Sequence, residues 1–430
     1  MSSAGVIEPL YLSVIELDER DFGEGDQVLE GVYTNFYFSE KSLSTHFLFL
    51  GSTGTGKTNA IFQFVDIIKN KMLNKDDVMI IFDTKGDYYS RFFDKNRGDI
   101  AISNRSSDEV WNIFEEIKQD DISRWEQDAY EISLEIFDES LRNSKDQYFP
   151  MAALDVTRAV IITLLRNSVK NGFQVTNEDL YKALALNSAI GLRNLITTYP
   201  DLLGAAVHIY NPDSAQTQGV LGEIKQVIER IFSGKFGQPG SFSVRKFIKE
   251  KGGKTLFLEY DLTYGKLLTP LYRLIIDLAI KESLGRELGG KGNIYFIIDE
   301  FGLLPNLYHI EDAINFGREM GVKFLVGTQN VEQIIGSYGT ERAKSILSNF
   351  GTVFSFRQND KSSKEIVSDR YGEYNALVTK KPIIPNEPFF RTIVKSQVIE
   401  PLVLSLLNTG QSIVCISGKE PRYFTFKKVI

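Results

Sequence analysis

Apolar positions along the chain change their period several times, and those changes outline the elements. Strand-like runs at Leu10–Leu17 and Val28–Phe38 flank acidic turns holding Gly23 and Gly25, which suggests a small β element. His46–Leu50 (HFLFL) predicts a compact strand followed by a glycine-rich turn. Ala60, Ile61, Phe64, Val65, Ile68 and Met72 then recur at helical spacing, and Val78–Phe82 predicts a second strand. Strand, helix and strand in this order form a βαβ unit and imply a parallel sheet.

The texture turns almost wholly helical after about residue 106. Ser107–Lys118, Ser123–Arg142, Met151–Lys170, Asn177–Leu186 and Gln216–Ile231 each carry a helical period. Sheet-like runs return at Thr255–Tyr260, Ile294–Ile298, Lys323–Gly327 and Thr352–Phe356, with helical stretches at 268–284, 309–320, 339–348 and 361–370. Thr392–Val398, Ser412–Ser417 and Tyr423–Lys427 are further strand candidates. The expected organisation is a β element over 1–45, a nucleotide-binding α/β domain over 46–106 and 251–430, and an inserted all-α domain over 107–250.

Composition adds exclusions. At 430 residues the chain exceeds the usual single domain. With 43% hydrophobic and 24% charged residues it is ordinary globular material. One cysteine and three scattered histidines give no disulfide framework and no zinc-ligand spacing, which points to a reduced, intracellular setting. No signal peptide is visible, and no apolar run reaches the roughly 18–20 residues that cross a bilayer. The richest stretch, Leu267–Leu284, contains Arg273, Asp277, Lys281 and Glu282 and reads as a buried helix. A net charge of −7 argues against a chain that coats nucleic acid along its whole surface. A local basic surface stays open, and the one basic run noted, Arg245–Lys254, reads as a pore loop or a solvated loop.

Gly51-Ser52-Thr53-Gly54-Thr55-Gly56-Lys57-Thr58 fits the phosphate-binding pattern G-x-x-x-x-G-K-[ST] without a mismatch. Glycines let successive backbone N–H groups face an ATP phosphate, Lys57 brings a positive charge, and Thr58 offers a hydroxyl to Mg²⁺. Asn293–Glu300 (NIYFIIDE) is an apolar strand ending in two carboxylates. Asp299 would support the Mg²⁺ and Glu300 would polarise the attacking water. The 242 positions between Lys57 and Asp299 exceed what one or two crossovers need, and the helical block fills the excess.

Three other residues carry two readings each. Arg318 falls on the polar face of helix 309–320, opposite Ile310, Ala313, Ile314, Gly317 and Met320; it is a surface arginine or an arginine finger for a neighbouring subunit. Gln329 follows strand Lys323–Gly327, where it senses the γ-phosphate or caps the next helix. Asp83, at the end of the second strand, is catalytic or stabilises its loop.

These segments resemble the type IV secretion coupling proteins of the TraG/TraD type, within the HerA/FtsK group of P-loop ATPases. The resemblance runs from about His46 onward: the P-loop segment, Ile81–Asp87, Trp111–Phe114, Asp299–Asn306, Gly317-Arg318, Gly327–Asn330, Tyr338-Gly339, Ile346–Asn349 and Gln358–Asp360, in the family's order. It implies an α/β RecA-like P-loop NTPase with a mainly parallel sheet and an inserted all-α domain, working as a hexameric ring. It further implies an ATPase that translocates DNA, single-stranded or duplex, with a relaxase and secretion-channel proteins as partners. On the same resemblance Arg318 matches the trans-acting arginine and Gln329 the sensor glutamine. Family members usually begin with membrane-anchoring helices, which this sequence lacks. The expected location is therefore cytoplasmic, peripheral at the inner face of the membrane through a partner. The alternatives are a soluble ATP-gated adaptor that recruits a relaxase or effector, and a HerA-like DNA-processing or defence ATPase.

Overall fold

The computed structural model describes residues 26–105, 109–117, 122–287, 289–380 and 390–429, so the run at Leu10–Leu17 lies outside the described residues. The chain divides into two compact units, each built on strands of a nine-stranded, mainly parallel sheet. The first comprises residues 1–72, 298–305 and 323–430; the second comprises 73–297 and 306–322.

In the first unit the strand order is Arg422–Thr425, Gln411–Ile416, Thr352–Ser355, Phe47–Leu50 and Val322–Thr328. The last three run parallel, with Phe47 opposite Thr352 on one side and Leu325 on the other; the first two join antiparallel. Phe47–Leu50 is buried at every position, which is why it reads as an unbroken apolar run rather than an alternating one. The Val28–Phe38 run forms a hairpin, Gln27–Glu30 paired with Asn35–Phe38.

An aromatic cluster holds this unit together. Phe64, on helix Lys57–Ile67, meets Phe38 at 5.0 Å, Phe354 at 5.4 Å, Phe47 at 5.5 Å and Phe49 at 5.6 Å between ring centroids. Phe49 and Phe354 stack at 4.9 Å across neighbouring strands. Edge-to-face and offset rings of this kind add to the burial of their large apolar area.

In the second unit the order is Ile294–Ile298, Val78–Asp83, Lys254–Glu259 and Ile100–Ser103, with the last three strands parallel. Between Ser103 and Lys254 the described residues contain no strand, only helices and one isolated bridge, Trp111 to Phe242. The longest helices between these two strands are Trp125–Asn143, Tyr148–Asn171 and Ala215–Ile231. Tyr148–Asn171, rather than Leu267–Leu284, is the one described helix long and apolar enough to cross a bilayer. Most of it is buried, packed against the other two long helices.

Where a helix over Ser107–Lys118 is expected, helix covers only Ile113–Ile117, and 106–108 and 118 lie outside the described residues. The reason is side-chain bonding to backbone. Asn112 donates to the carbonyls of Val175 (3.0 Å) and Gly240 (2.9 Å), which holds the chain extended there. Trp111 Nε1 donates to the fully buried Glu116 at 2.7 Å, and the same carboxylate accepts from Ser243 Oγ, Val244 N and Arg245 N. Burial pushes the Glu116 carboxyl above its usual range despite these four donors.

The basic run Arg245–Lys254 is mostly helix, Val244–Glu250, rather than a loop, and four of its five cations pair with carboxylates, while Lys251 donates to the Lys291 carbonyl. Arg245 is buried and bidentate on Asp128 at 3.0 and 3.1 Å. Lys246 pairs with Glu115, Lys249 with Glu282 and Lys254 with Glu250. Helix Gly265–Leu284 is tied to Trp125–Asn143 in the same way, through Arg273 on Glu135 and Asp138. At its other contact, Asp277 accepts from His309 N (2.9 Å) and meets His309 Nδ1 at 2.6 Å, fixing the start of helix Ile310–Phe316.

Phe64→Ala should lower unfolding stability by about 3–5 kcal/mol, because the rings around it, Phe36 and Phe426 included, cannot collapse into the space; a denaturant midpoint unchanged from wild type would contradict this packing. The hydrogen bond to Asp277 raises the His309 pKa above its ordinary value. A raised folded-state pKa stabilises fully below about pH 6.5, the unfolded value, and the contribution is lost as pH rises through the folded pKa. Asp277→Asn should therefore lose more stability at acidic than at alkaline pH, and its His309 signal in NMR should titrate at lower pH than in wild type.

Candidate nucleotide-binding site

Strand Phe47–Leu50 delivers the chain into the glycine-rich turn, and hydrogen bonds to both flanks hold it there. Gly51 N donates to Thr328 O (3.2 Å) and Ser52 N to Arg357 O (3.0 Å). Thr55 Oγ1 closes the loop on Ser52 O at 2.8 Å. Gly56 has φ +106°, a left-handed conformation that a side chain would strain, and helix Lys57–Ile67 begins immediately after it. The first N–H groups of that helix form an anion-binding end.

Lys57 is buried and donates from Nζ to the carbonyls of Gly51 (2.5 Å) and Ser52 (3.3 Å), so the ammonium lies folded along the loop. Thr58 Oγ1 donates to Asp299 Oδ2 at 2.8 Å. A hydroxyl and a carboxylate side by side are hard oxygen donors suited to Mg²⁺, which usually takes one or two protein ligands and completes its shell with phosphates and water. Among the described residues no cluster of three His, Cys, Asp or Glu side chains offers a separate metal cage.

Asp299 and Glu300 directly follow strand Ile294–Ile298. Gly327 passes so close that a Cβ there would lie 2.3 Å from the Asp299 carbonyl oxygen, which explains a glycine near the end of a fully buried strand. Two residues on, Gln329 Nε2 donates to Glu300 Oε2 at 2.8 Å, and Gln329 Oε1 accepts from Thr53 Oγ1 at 3.0 Å. The cap of the next helix, Val331–Tyr338, is instead Asn330, whose Oδ1 accepts from Gln333 N at 3.0 Å. Thr53, Lys57, Thr58, Asp299, Glu300 and Gln329 all belong to the first unit.

Arg318 belongs to the second unit and is not part of that hydrogen-bonded group. The expected helix over 309–320 divides into α-helix Ile310–Phe316 and a tighter turn, Gly317–Met320, ended by Gly321. Ile310, Ala313, Ile314 and Gly317 are buried, while Arg318 is exposed and pairs with no carboxylate among the described residues. Asp83 is buried and accepts from the backbone of Lys85 (3.2 Å), Gly86 (2.9 Å) and Tyr89 (2.8 Å). It stabilises its own loop, and burial raises its pKa.

Sequence reasoning missed one side of the site. Gly410 N donates to Thr55 O at 2.9 Å, while Asn59 and Gln63 of the phosphate-loop helix both donate to Lys427 O, at 2.8 and 2.9 Å. Val429 N returns a bond to Asn59 Oδ1 at 2.8 Å. No local pattern reveals contacts across more than 350 positions; the only hint is a polar pair, Asn59 and Gln63, one turn apart in an apolar helix.

Residues 34–382 match the family model described as the type IV secretion-system coupling protein DNA-binding domain. The VirD4 protein of Rhizobium radiobacter is 27% identical over 163 residues, 36% of this chain and 24% of that protein. VirD4 of Rhizobium rhizogenes is 28% identical over an equal length, so the match spans about a quarter of these relatives. Among solved structures, the coupling protein TrwB in its sulphate complex has a TM-score of 0.74 at 20% identity, covering 96% of this chain and 90% of that one. TrwB in complex with ADP and Mg²⁺ has a TM-score of 0.70 at 20% identity, covering 92% and 87%. VirB4 of Thermoanaerobacter pseudethanolicus is more distant, at 0.57 and 12%, covering 94% and 97%. These likenesses establish the fold as a RecA-like α/β fold with a mainly parallel sheet and a helical domain. With the family match extending over most of its length, the chain belongs to the type IV secretion-system coupling protein family.

Proposed function

We propose that this chain is an ATP-driven motor that moves DNA, hydrolysing ATP at the subunit interfaces of a homo-hexameric ring. The observation that carries the reading is the convergence of Thr58, Asp299, Glu300 and Gln329 beside an intact phosphate loop. Residues 107–250 form the inserted helical domain in this reading.

Each residue has a task that its position allows. The Gly51–Gly56 backbone and the helix end hold the phosphates, and Lys57 turns its ammonium from the Gly51 and Ser52 carbonyls toward the β- and γ-phosphates. Thr58 and Asp299 hold Mg²⁺, which when bound neutralises charge on the phosphates. Glu300 orients the attacking water and accepts its proton, with Gln329 in contact to register the γ-phosphate. Arg318, exposed and without a carboxylate partner among the described residues, enters the site of the adjacent subunit. DNA, single-stranded or duplex, is the moved polymer; a relaxase and channel proteins are the partners, with the ring peripheral at the inner membrane face.

A second reading, an ATP-gated adaptor, draws on exposed apolar side chains of the helical segment. Ile190, Leu203 and Val207 are 50%, 48% and 70% exposed on neighbouring helices and turns, as a protein-docking face would be.

Hydrolysis measured with and without oligonucleotide separates the two: a motor is stimulated by DNA, and a rate indifferent to both single and double strands would favour the adaptor. Arg318→Ala should lower turnover by about 10³–10⁵ if it acts as a finger. Mixing Arg318→Ala with Glu300→Gln subunits should then restore part of the activity, since some interfaces receive both intact residues. Mixed rings, verified by mass, that stay inactive at every ratio would contradict a shared site.

A further inference from the structure

The loop's third residue, Thr53, is exposed, and its hydroxyl is directed at Gln329. A phosphate loop binds its anion chiefly through backbone N–H groups and the lysine, so this hydroxyl is available for another task. Its bond to Gln329 has a determined polarity. An ionised carboxylate only accepts, so the Gln329 amide must present its NH₂ group to Glu300 and its oxygen to Thr53, where the hydroxyl must donate. Both ends of one planar amide are therefore fixed, at 3.0 and 2.8 Å, and Gln329 cannot rotate without releasing both neighbours. The three side chains form a continuous line from the phosphate loop to the glutamate, within one compact unit.

From this geometry we propose that Thr53 is a positioning residue: through Gln329 it sets the orientation of the Glu300 carboxylate, so that the conformation of the phosphate loop determines when water can be activated. The proposal rests on Glu300 acting in hydrolysis, as described above. A β-branched side chain suits the task, because its χ1 rotamer is stiff and keeps the hydroxyl aimed. Loss of the hydroxyl leaves the loop backbone, Lys57 and the Thr58–Asp299 pair in place. The relay therefore affects the chemical step and spares nucleotide binding.

Thr53→Val removes the hydroxyl at nearly constant shape, and Thr53→Ser restores it. Steady-state ATP turnover and the Kd for the non-hydrolysable analogue ADPNP are measured for both, alone and combined with Gln329→Ala. Thr53→Val should lower kcat by about ten- to a hundredfold, the scale of a misoriented reacting group, with ADPNP affinity unchanged. Thr53→Ser should recover most of that loss. In the Gln329→Ala background Thr53→Val should have no further effect, because residues acting through one chain are not additive. Wild-type turnover in Thr53→Val, independent multiplication of the two losses, or a loss of ADPNP binding matching the loss of turnover would each overturn the relay. Glu300→Gln is the control: if it hydrolyses ATP like wild type, the assignment of Glu300 itself fails, whereas an inactive Glu300→Gln beside a normal Thr53→Val removes only the relay.

Discussion

One hydrogen bond, Thr58 to Asp299, joins the two halves of the site across 241 positions of sequence. It forms because Phe47–Leu50 and the strand that reaches Asp299 both end at the carboxyl edge of a mainly parallel sheet, where α/β proteins place their ligands. Everything else in the site is arranged around that meeting point. Gly327 permits close approach to the Asp299 backbone, and Gln329 then reaches Glu300. A side chain at Gly327 would collide with the Asp299 carbonyl and displace the carboxylates from the hydroxyl and amide that they meet.

The long helical segment imposes a different constraint, since its two ends must be closed without a sheet to pair them. Buried polar groups do this. Glu116 gathers donors from Trp111 on the incoming chain and from Ser243, Val244 and Arg245 on the outgoing one. Asn177 adds a second tie, donating to the Trp111 and Phe236 carbonyls and accepting from Ile113 N. Such a network specifies one closure because any other leaves buried polar atoms without partners. The same economy accounts for the basic helix Val244–Glu250, whose cations are used in ion pairs that hold helices together.

Much of this was legible in the residues. Strands buried on both faces announce themselves as apolar runs, and the glycine-rich segment lies on the strand–turn–helix that its pattern predicts, with Asp299 and Glu300 at a strand end. The long helices followed from their period. Side-chain chemistry that bends the backbone was harder to read: Asn112 and Trp111 turned an expected helix into an extended segment, and Gly317 and Gly321 shortened another. Asp83 and Arg245 show the remaining limit. Their sequence context admits a functional or a structural role, and only the partners taken up in the fold, three backbone amides of its own loop for Asp83 and the distant Asp128 for Arg245, speak for the structural one.

What Asn59 and Gln63 grasp at residue 427 is a peptide carbonyl, a group that every amino acid presents. The hold on the helix therefore rests on the path of the backbone, while the Lys427 side chain is engaged elsewhere, on Glu30. The tail thus braces helix Lys57–Ile67 from more than 350 positions away. What the contact asks of the chain is a trajectory, and a trajectory leaves no residue pattern in the sequence.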